Sequence, residues 1–193
     1  MNSRGSRDAG AIPPDTQKRP PNPGGVPPSR PVLPVRSPPG NIRRIMATYT
    51  DINYHLVFAT KNRVPALTRE RRDDLYRFIW GVLKKRGCHL FRIGGVADHI
   101  HILTSLHSTV ALADLIKEMK TASSDWIKGQ RVFPLFDYWQ EGYGAFTTDA
   151  AGRPGLIEYI KGQEEHHRAK TFAEELEGMV RARGLTWKPD HLP

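Results

Sequence analysis

The stretch Ala97-Asp98-His99-Ile100-His101-Ile102-Leu103 alternates polar and apolar side chains with a period of two, which fits a strand with one buried face and does not fit a helix. In a strand, His99 and His101 project side by side while Ile100 and Ile102 turn to the core. Two imidazoles that converge on one point suit a divalent cation held by neutral ring nitrogens. Such a cation can polarise a phosphoryl oxygen as a Lewis acid. The same pattern also describes a half-buried strand with histidines on its wet face, and these residues alone do not choose between the two.

A second cluster lies in Leu156-Ile157-Glu158-Tyr159-Ile160-Lys161-Gly162-Gln163. Tyr159 and Gln163 are four apart, so one helix would stack them on one face. If that face meets the histidine strand, the Gln163 carbonyl oxygen can serve as a third metal ligand and Tyr159 as a nucleophile beside a polarised phosphate. A tyrosine among Leu156, Ile157 and Ile160 is equally readable as a core aromatic of an amphipathic helix.

The surrounding pattern supplies the scaffold. Residues 48–60 read as a strand, with Ile52, Tyr54, Leu56 and Phe58 on one face and Val57 and Ala59 marking a covered second face. Thr68 is placed to cap a helix whose apolar positions are Leu75, Phe78, Ile79, Val82 and Leu83. A hairpin follows, with residues 89–93 and 99–106 as strands and Gly94-Gly95 in the turn, so that the histidines lie near an exposed strand start. A second helix spans 110–128, a fourth strand 143–148, Pro154 opens a third helix, and another covers 171–183. Strand, helix, strand, strand, helix, strand is the order of an α+β, ferredoxin-like antiparallel sheet with helices on one face, here followed by the helices that carry the tyrosine.

Charge and cysteine content narrow the class. Of the net charge of +9, six units fall in residues 1–46, which hold 8 basic and 2 acidic residues and 11 of the 16 prolines. Such a segment cannot bury enough apolar surface to offset its ordering, so 1–46 reads as a disordered, Pro-rich basic leader before a single domain at 47–193. Two roles compete for it: a basic arm on phosphates, or a translated leader without function ahead of Met46. Cys88 is the only cysteine, which excludes an intrachain disulfide and a multi-thiolate metal site. No apolar run of membrane-spanning length and no signal-peptide pattern is legible, so a cytoplasmic protein is expected.

Four motifs occur in order from about Ala47 onward. Thr48-Tyr49-Thr50 leads into His55-Leu56-Val57-Phe58-Ala59-Thr60-Lys61-Asn62-Arg63. Asp98-His99-Ile100-His101-Ile102-Leu103 and Trp139-Gln140-Glu141-Gly142-Tyr143-Gly144-Ala145-Phe146 follow, and Tyr159-Ile160-Lys161-Gly162-Gln163-Glu164-Glu165-His166-His167 closes the series. Together they resemble the one-tyrosine HUH transposases of the IS-two-hundred-like type, which cut and rejoin single-stranded DNA at insertion-sequence ends. The resemblance implies the same ferredoxin-like core and a divalent ion, Mg²⁺ or Mn²⁺, held by His99, His101 and Gln163. It also implies attack by Tyr159 to give a 5′-phosphotyrosine link and a free 3′-hydroxyl. Its implied partners are single-stranded DNA with hairpin ends and a second copy of the chain. In such a homodimer the tyrosine helix of one subunit can complete the site of the other, with the loop 149–155 as a hinge.

Other residues carry weaker expectations. Asp98 either orients a histidine or simply favours a turn. His166-His167 is expected to face solvent or DNA, because three ligands already suffice, and His55 to be a satisfied sheet residue. Lys61, Arg63 and Arg92 are candidate DNA-phosphate contacts, and the charged run 69–74 is a solvated helix face. Aromatics in 133–143 divide between core packing and base stacking. A histidine-triad phosphohydrolase would need a third histidine at position 103, which is leucine. A non-catalytic or domesticated DNA-hairpin-binding protein of the same fold is the alternative to the enzyme.

Overall fold

The computed structural model describes residues 49–188. Its elements are β1 (Asn53–Ala59), a 3₁₀ turn (Lys61–Arg63), α1 (Arg69–Lys85), β2 (Leu90–Gly95), β3 (His99–Ser105), α2 (Leu112–Gln130), β4 (Gly144–Thr148), α3 (Arg153–Lys161), α4 (Gln163–His166) and α5 (Phe172–Arg181). The four strands form one antiparallel sheet in the order β2-β3-β1-β4, the ferredoxin-like arrangement expected of this element order. The reading of 1–46 as a leader lies outside the described residues.

Strand alternation divides the sheet into two chemically different faces. On one, Leu56 and Phe58 of β1 and Ile100 and Ile102 of β3 pack against Leu75, Ile79 and Leu83 of α1 and Leu115, Ile116, Met119 and Ile127 of α2. Burying each such side chain is worth about 1.5–3 kcal/mol, so this layer supplies most of the drive to fold. Phe78 and Trp126 stack at 5.1 Å where α1 meets α2. Within 133–143, Phe133, Phe136 and Trp139 join this core, and the Trp139 indole donates to Ser123 Oγ at 2.8 Å; Tyr138 and Tyr143 stay exposed.

The other face carries His55, Val57 and Ala59 of β1 beside His99 and His101 of β3, in the register Val57↔His101 and Ala59↔His99. Phe172, Leu176 and Met179 of α5 pack on Val57 and Ala59. The helix α3 lies on β2 and β3. Its approach depends on a residue without a side chain: a Cβ at Gly94 would stand 2.6 Å from the carbonyl oxygen of Ile160.

Several boundaries differ from the sequence expectation. The first strand begins at Asn53, and Gly94 and Gly95 end β2, leaving the turn to residues 96–98. Thr68 sits at the N-cap of α1 but accepts no capping hydrogen bond. The helix bearing Tyr159 stops at Lys161, and Gly162 separates it from α4, so Tyr159 and Gln163 belong to consecutive helices and not to one. Glycine is a poor helix-interior residue, which accounts for the break.

Candidate active site

The β3 histidines are not on an exposed strand start: both are fully buried, because Tyr159 of α3, His167 and Phe172 of α5 cover them. Their rings are 5.0 Å apart. His99 Nδ1 pairs with Asp98 Oδ1 at 2.7 Å, and His101 Nδ1 with His55 Nε2 at 2.9 Å. The Asp98 carboxylate can only accept, so it fixes the His99 proton on Nδ1 and leaves a lone pair on Nε2. Burial pulls His101 down to about 4 and His55 to about 3, each from 6.5, so both imidazoles are neutral near pH 7. His55, expected to be an ordinary sheet residue, is a support for His101.

Two helices bring the remaining groups. Tyr159 of α3 is half-buried, with its ring edge-on to His101 at 5.9 Å and to His55 at 6.2 Å. Gln163 is buried, and its Nε2 donates to Glu175 Oε1 at 3.1 Å. Three inward atoms, Nε2 of His99, Nε2 of His101 and Oε1 of Gln163, have no hydrogen-bond partner among the described residues. An unpaired buried polar atom costs about 1–3 kcal/mol, so three together mark a place shaped for an electrophile. Two imidazole nitrogens and an amide oxygen are a donor set that fits a divalent cation.

At the centre stands a residue that the sequence reading missed. Glu175 of α5 is only 4% exposed. Its Oε1 accepts from the Tyr159 hydroxyl, and its Oε2 lies 3.1 Å from His167 Nε2, 3.4 Å from His101 Nε2 and 3.6 Å from His99 Nε2. Burial pushes the Glu175 carboxyl up, but the imidazoles of His101 and His167 outweigh it and hold the group well below the usual carboxylate range. Burial first, and then the Glu175 charge, push the Tyr159 phenol above its ordinary value. His167, expected to face outward, is instead drawn into this cluster. Burial lowers it, yet its bond to Glu175 prevails and the net shift is upward.

A signal for Glu175 exists in the sequence. Phe172, Leu176 and Met179 recur at helical spacing, and Glu175 falls inside that apolar stripe. Thr171 and Glu174 form a reciprocal capping box that sets where α5 begins.

The expected phosphate contacts are scattered around the rim. Lys61 pairs with Asp137 at 3.1 Å, and Arg63 is exposed on the 3₁₀ turn. Arg92 lines a recess of about 380 Å³ with Arg69, Arg72, Lys161 and Gln163. Arg72 is committed to structure there, donating to Gly95 O at 2.6 Å and to Glu164 at 3.0 Å, which ties α1 to α4. Among the described residues no helix is long and apolar enough to cross a membrane.

The chain is 24% identical over 124 residues to the ISDra2 transposase TnpA of Deinococcus radiodurans, covering 59% of this chain and 85% of that protein. A Deinococcus radiodurans crystal structure assigned as a transposase has a TM-score of 0.48 at 24% identity, covering 61% of this chain and 95% of the other. A REP-associated tyrosine transposase bound to a REP hairpin has a TM-score of 0.49 at 17% identity, covering 76% and 93%. Residues 48–163 match the family model described as "Transposase IS200 like", and the chain belongs to that family.

Proposed function

We propose that the protein is a metal-dependent DNA transposase that cleaves and rejoins single-stranded DNA through a 5′-phosphotyrosine intermediate. The observation that carries this reading is the gathering of the Tyr159 hydroxyl, the unpaired nitrogens of His99 and His101 and the unpaired oxygen of Gln163 on one buried sheet face of one chain. His99, His101 and Gln163 would hold the ion, Mg²⁺ or Mn²⁺. When bound, that ion supplies Lewis-acid polarisation of the scissile phosphate.

The chain's own residues do the rest. Asp98 and His55 orient the two imidazoles, and Glu175 fixes the Tyr159 hydroxyl and receives the direction of its proton at Oε1. The phenolic oxygen forms a bond to phosphorus as the bond to the 3′-oxygen breaks; the phenolic proton passes to Glu175 Oε1, and the departing 3′-oxygen takes a proton from solvent water to leave as a hydroxyl. The phosphodiester's free energy stays in the tyrosyl link, so a second 3′-hydroxyl can reverse the step and join strands without a nucleotide cofactor.

As partners we propose single-stranded DNA with hairpin ends and a second copy of the chain as a homodimer, at work in the cytoplasm at the nucleoid; family membership supports the DNA partner. Lys61, Arg63 and Arg92 contact backbone phosphates, and the exposed Tyr138 and Tyr143 offer faces for unpaired bases.

The test is incubation of the full chain with an end-labelled single-stranded hairpin oligonucleotide, with and without Mg²⁺ or Mn²⁺, followed by denaturing electrophoresis. A metal-dependent covalent adduct that disappears in Tyr159→Phe is the expected result. Hairpin binding with neither adduct nor cleavage under either metal would replace the enzyme by the non-catalytic binder.

A further inference from the structure

We propose that Glu175 and His167 are ligands of the same divalent ion as His99 and His101, so that the centre is built half from β3 and half from the C-terminal helices. The inference rests on the metal-dependent reading above and deepens it. Both residues lie beyond the 48–163 segment that matches the family model, so the family pattern does not assign them.

Distance is the first argument. One donor atom each from His99, His101, His167 and Glu175 can be chosen so that all lie within 4.8 Å of one another. Donors bound to one ion at about 2.0–2.2 Å stand about 3.0 Å apart at octahedral corners and about 3.5 Å apart at tetrahedral ones. Glu175 Oε2 stands 3.1, 3.4 and 3.6 Å from the Nε2 atoms of His167, His101 and His99. The last two nitrogens make no hydrogen bond in this arrangement among the described residues, although they face the carboxylate at ligand-to-ligand separation.

Orientation is the second. His167 Nδ1 lies 2.9 Å from the backbone oxygen of Lys170, an acceptor that can hold a proton on Nδ1, while Nε2 points at Glu175 Oε2 3.1 Å away; an ion bound between them would take the place of the Nε2 proton that this hydrogen bond uses. Asp98 likewise holds a proton on His99 Nδ1. A metal-binding histidine characteristically donates its other ring nitrogen to a carboxylate or a backbone carbonyl, and this site does so twice.

Charge is the third. Glu175 is buried, and its ion-pair partners among the described residues are all histidines: His99, His101, His166 and His167. A buried carboxylate without a permanent cation is costly, and a divalent ion is the counter-charge that also satisfies the facing imidazoles. The packing of Phe172, Leu176 and Met179 on Val57 and Ala59 holds the carboxylate in place before any ion arrives. Its other oxygen accepts from Tyr159 and Gln163, so ligation through Oε2 ties the position of the nucleophile to that of the metal.

The test measures binding of Mn²⁺ alone to the chelator-treated full chain by isothermal titration calorimetry, with circular dichroism melts as the control for folding. Glu175→Gln and His167→Gln are each expected to weaken Mn²⁺ binding by about 10-fold or more, with a smaller thermal upshift at a fixed Mn²⁺ concentration. Folded variants that keep the wild-type Kd overturn the proposal. If Glu175→Gln fails to fold, His167→Gln decides alone: loss of affinity supports the assignment and retention overturns it. His99→Ala separates the two readings. Should it lose Mn²⁺ while the other two keep it, only this inference falls; should all three keep it, the metal site of the proposed function falls with it.

Discussion

The two faces of one sheet are buried almost equally and solve burial in opposite ways. Leu56, Phe58, Ile100 and Ile102 on the α1–α2 side, and His55, Val57, Ala59, His99 and His101 on the other, are all at most 2% exposed. The apolar face is complete in itself, since every group there finds a partner of its own kind. The histidine face is roofed as thoroughly but keeps inward nitrogens and an amide oxygen unpaired. Strands shared by both faces thus give stability on one side and a reactive cluster on the other, and the sharpest experiments separate the two.

The largest separation comes from Tyr159→Phe. Covalent DNA adduct should fall at least about 10³-fold, to the detection limit, because phenylalanine has no nucleophilic oxygen. Stability should change by only about 1 kcal/mol for the lost hydrogen bond to Glu175, read from urea melts. The counterpart on the apolar face is Ile102→Ala, which should cost about 2–5 kcal/mol in the same melts. Its adduct yield per folded molecule should be unchanged. If Ile102→Ala abolished the adduct in the folded fraction, the faces would not be separable.

That division also explains what could be read in the residues beforehand. The period-two alternation around His99 and His101 needs only local geometry, so strand, face and core partners follow from it. The helices α1 and α2 are legible for the same reason, through Leu75, Ile79 and Leu83 and through Leu115, Met119 and Ile127. Tyr159 and Gln163 both reach Glu175 Oε1, but not by the stacking that their spacing implied, since Gly162 interrupts the helix that was to carry them. Glu175 is harder to read: it falls inside the apolar stripe of α5, but a glutamate is by default a surface residue, and only the docking of α5 on Val57 and Ala59 makes that face an inside one. His167, four past Gln163 and bonded through its backbone N–H to the Gln163 oxygen at 3.0 Å, lies on the face that helical spacing assigns it; the expectation that it faces outward rests only on three ligands being enough.

Acid should sharpen the contrast without any substitution. His55 and His101 have folded values of about 3 and 4, below the 6.5 of the unfolded chain. Between those limits the unfolded chain binds more protons, so the stability tied to each neutral imidazole is complete above pH 6.5 and is lost as pH falls toward 4. For His101 this is about 3 kcal/mol by linkage. Glu175, held below its ordinary value, adds a loss of the same sign at lower pH, while His167, shifted upward, opposes it and contributes most below its unfolded value. Arg183 also faces His55 and disfavours its protonation. Thermal melts of metal-free protein from pH 7 to pH 4 should therefore show a steep fall that flattens in His55→Phe. An unchanged slope in that variant would remove His55 from the account.

The smallest effect is the most specific, because it concerns one proton. Asp98 accepts from His99 Nδ1, and the bond keeps the Asp98 carboxyl below its ordinary value against the opposing pull of burial. Asp98→Asn preserves size and turn preference but offers an amide that can rotate its NH₂ toward Nδ1, which would move the histidine's proton to Nε2 and occupy the lone pair meant for a cation. Mn²⁺ affinity should drop about 10-fold, about 1.4 kcal/mol, with the melting profile of the metal-free chain nearly unchanged. Asp98 is partly exposed, so a purely structural role would show the reverse, a lower melting temperature at constant affinity. The same substitution thus tells whether the residue beside the histidine strand belongs to the turn or to the reactive face.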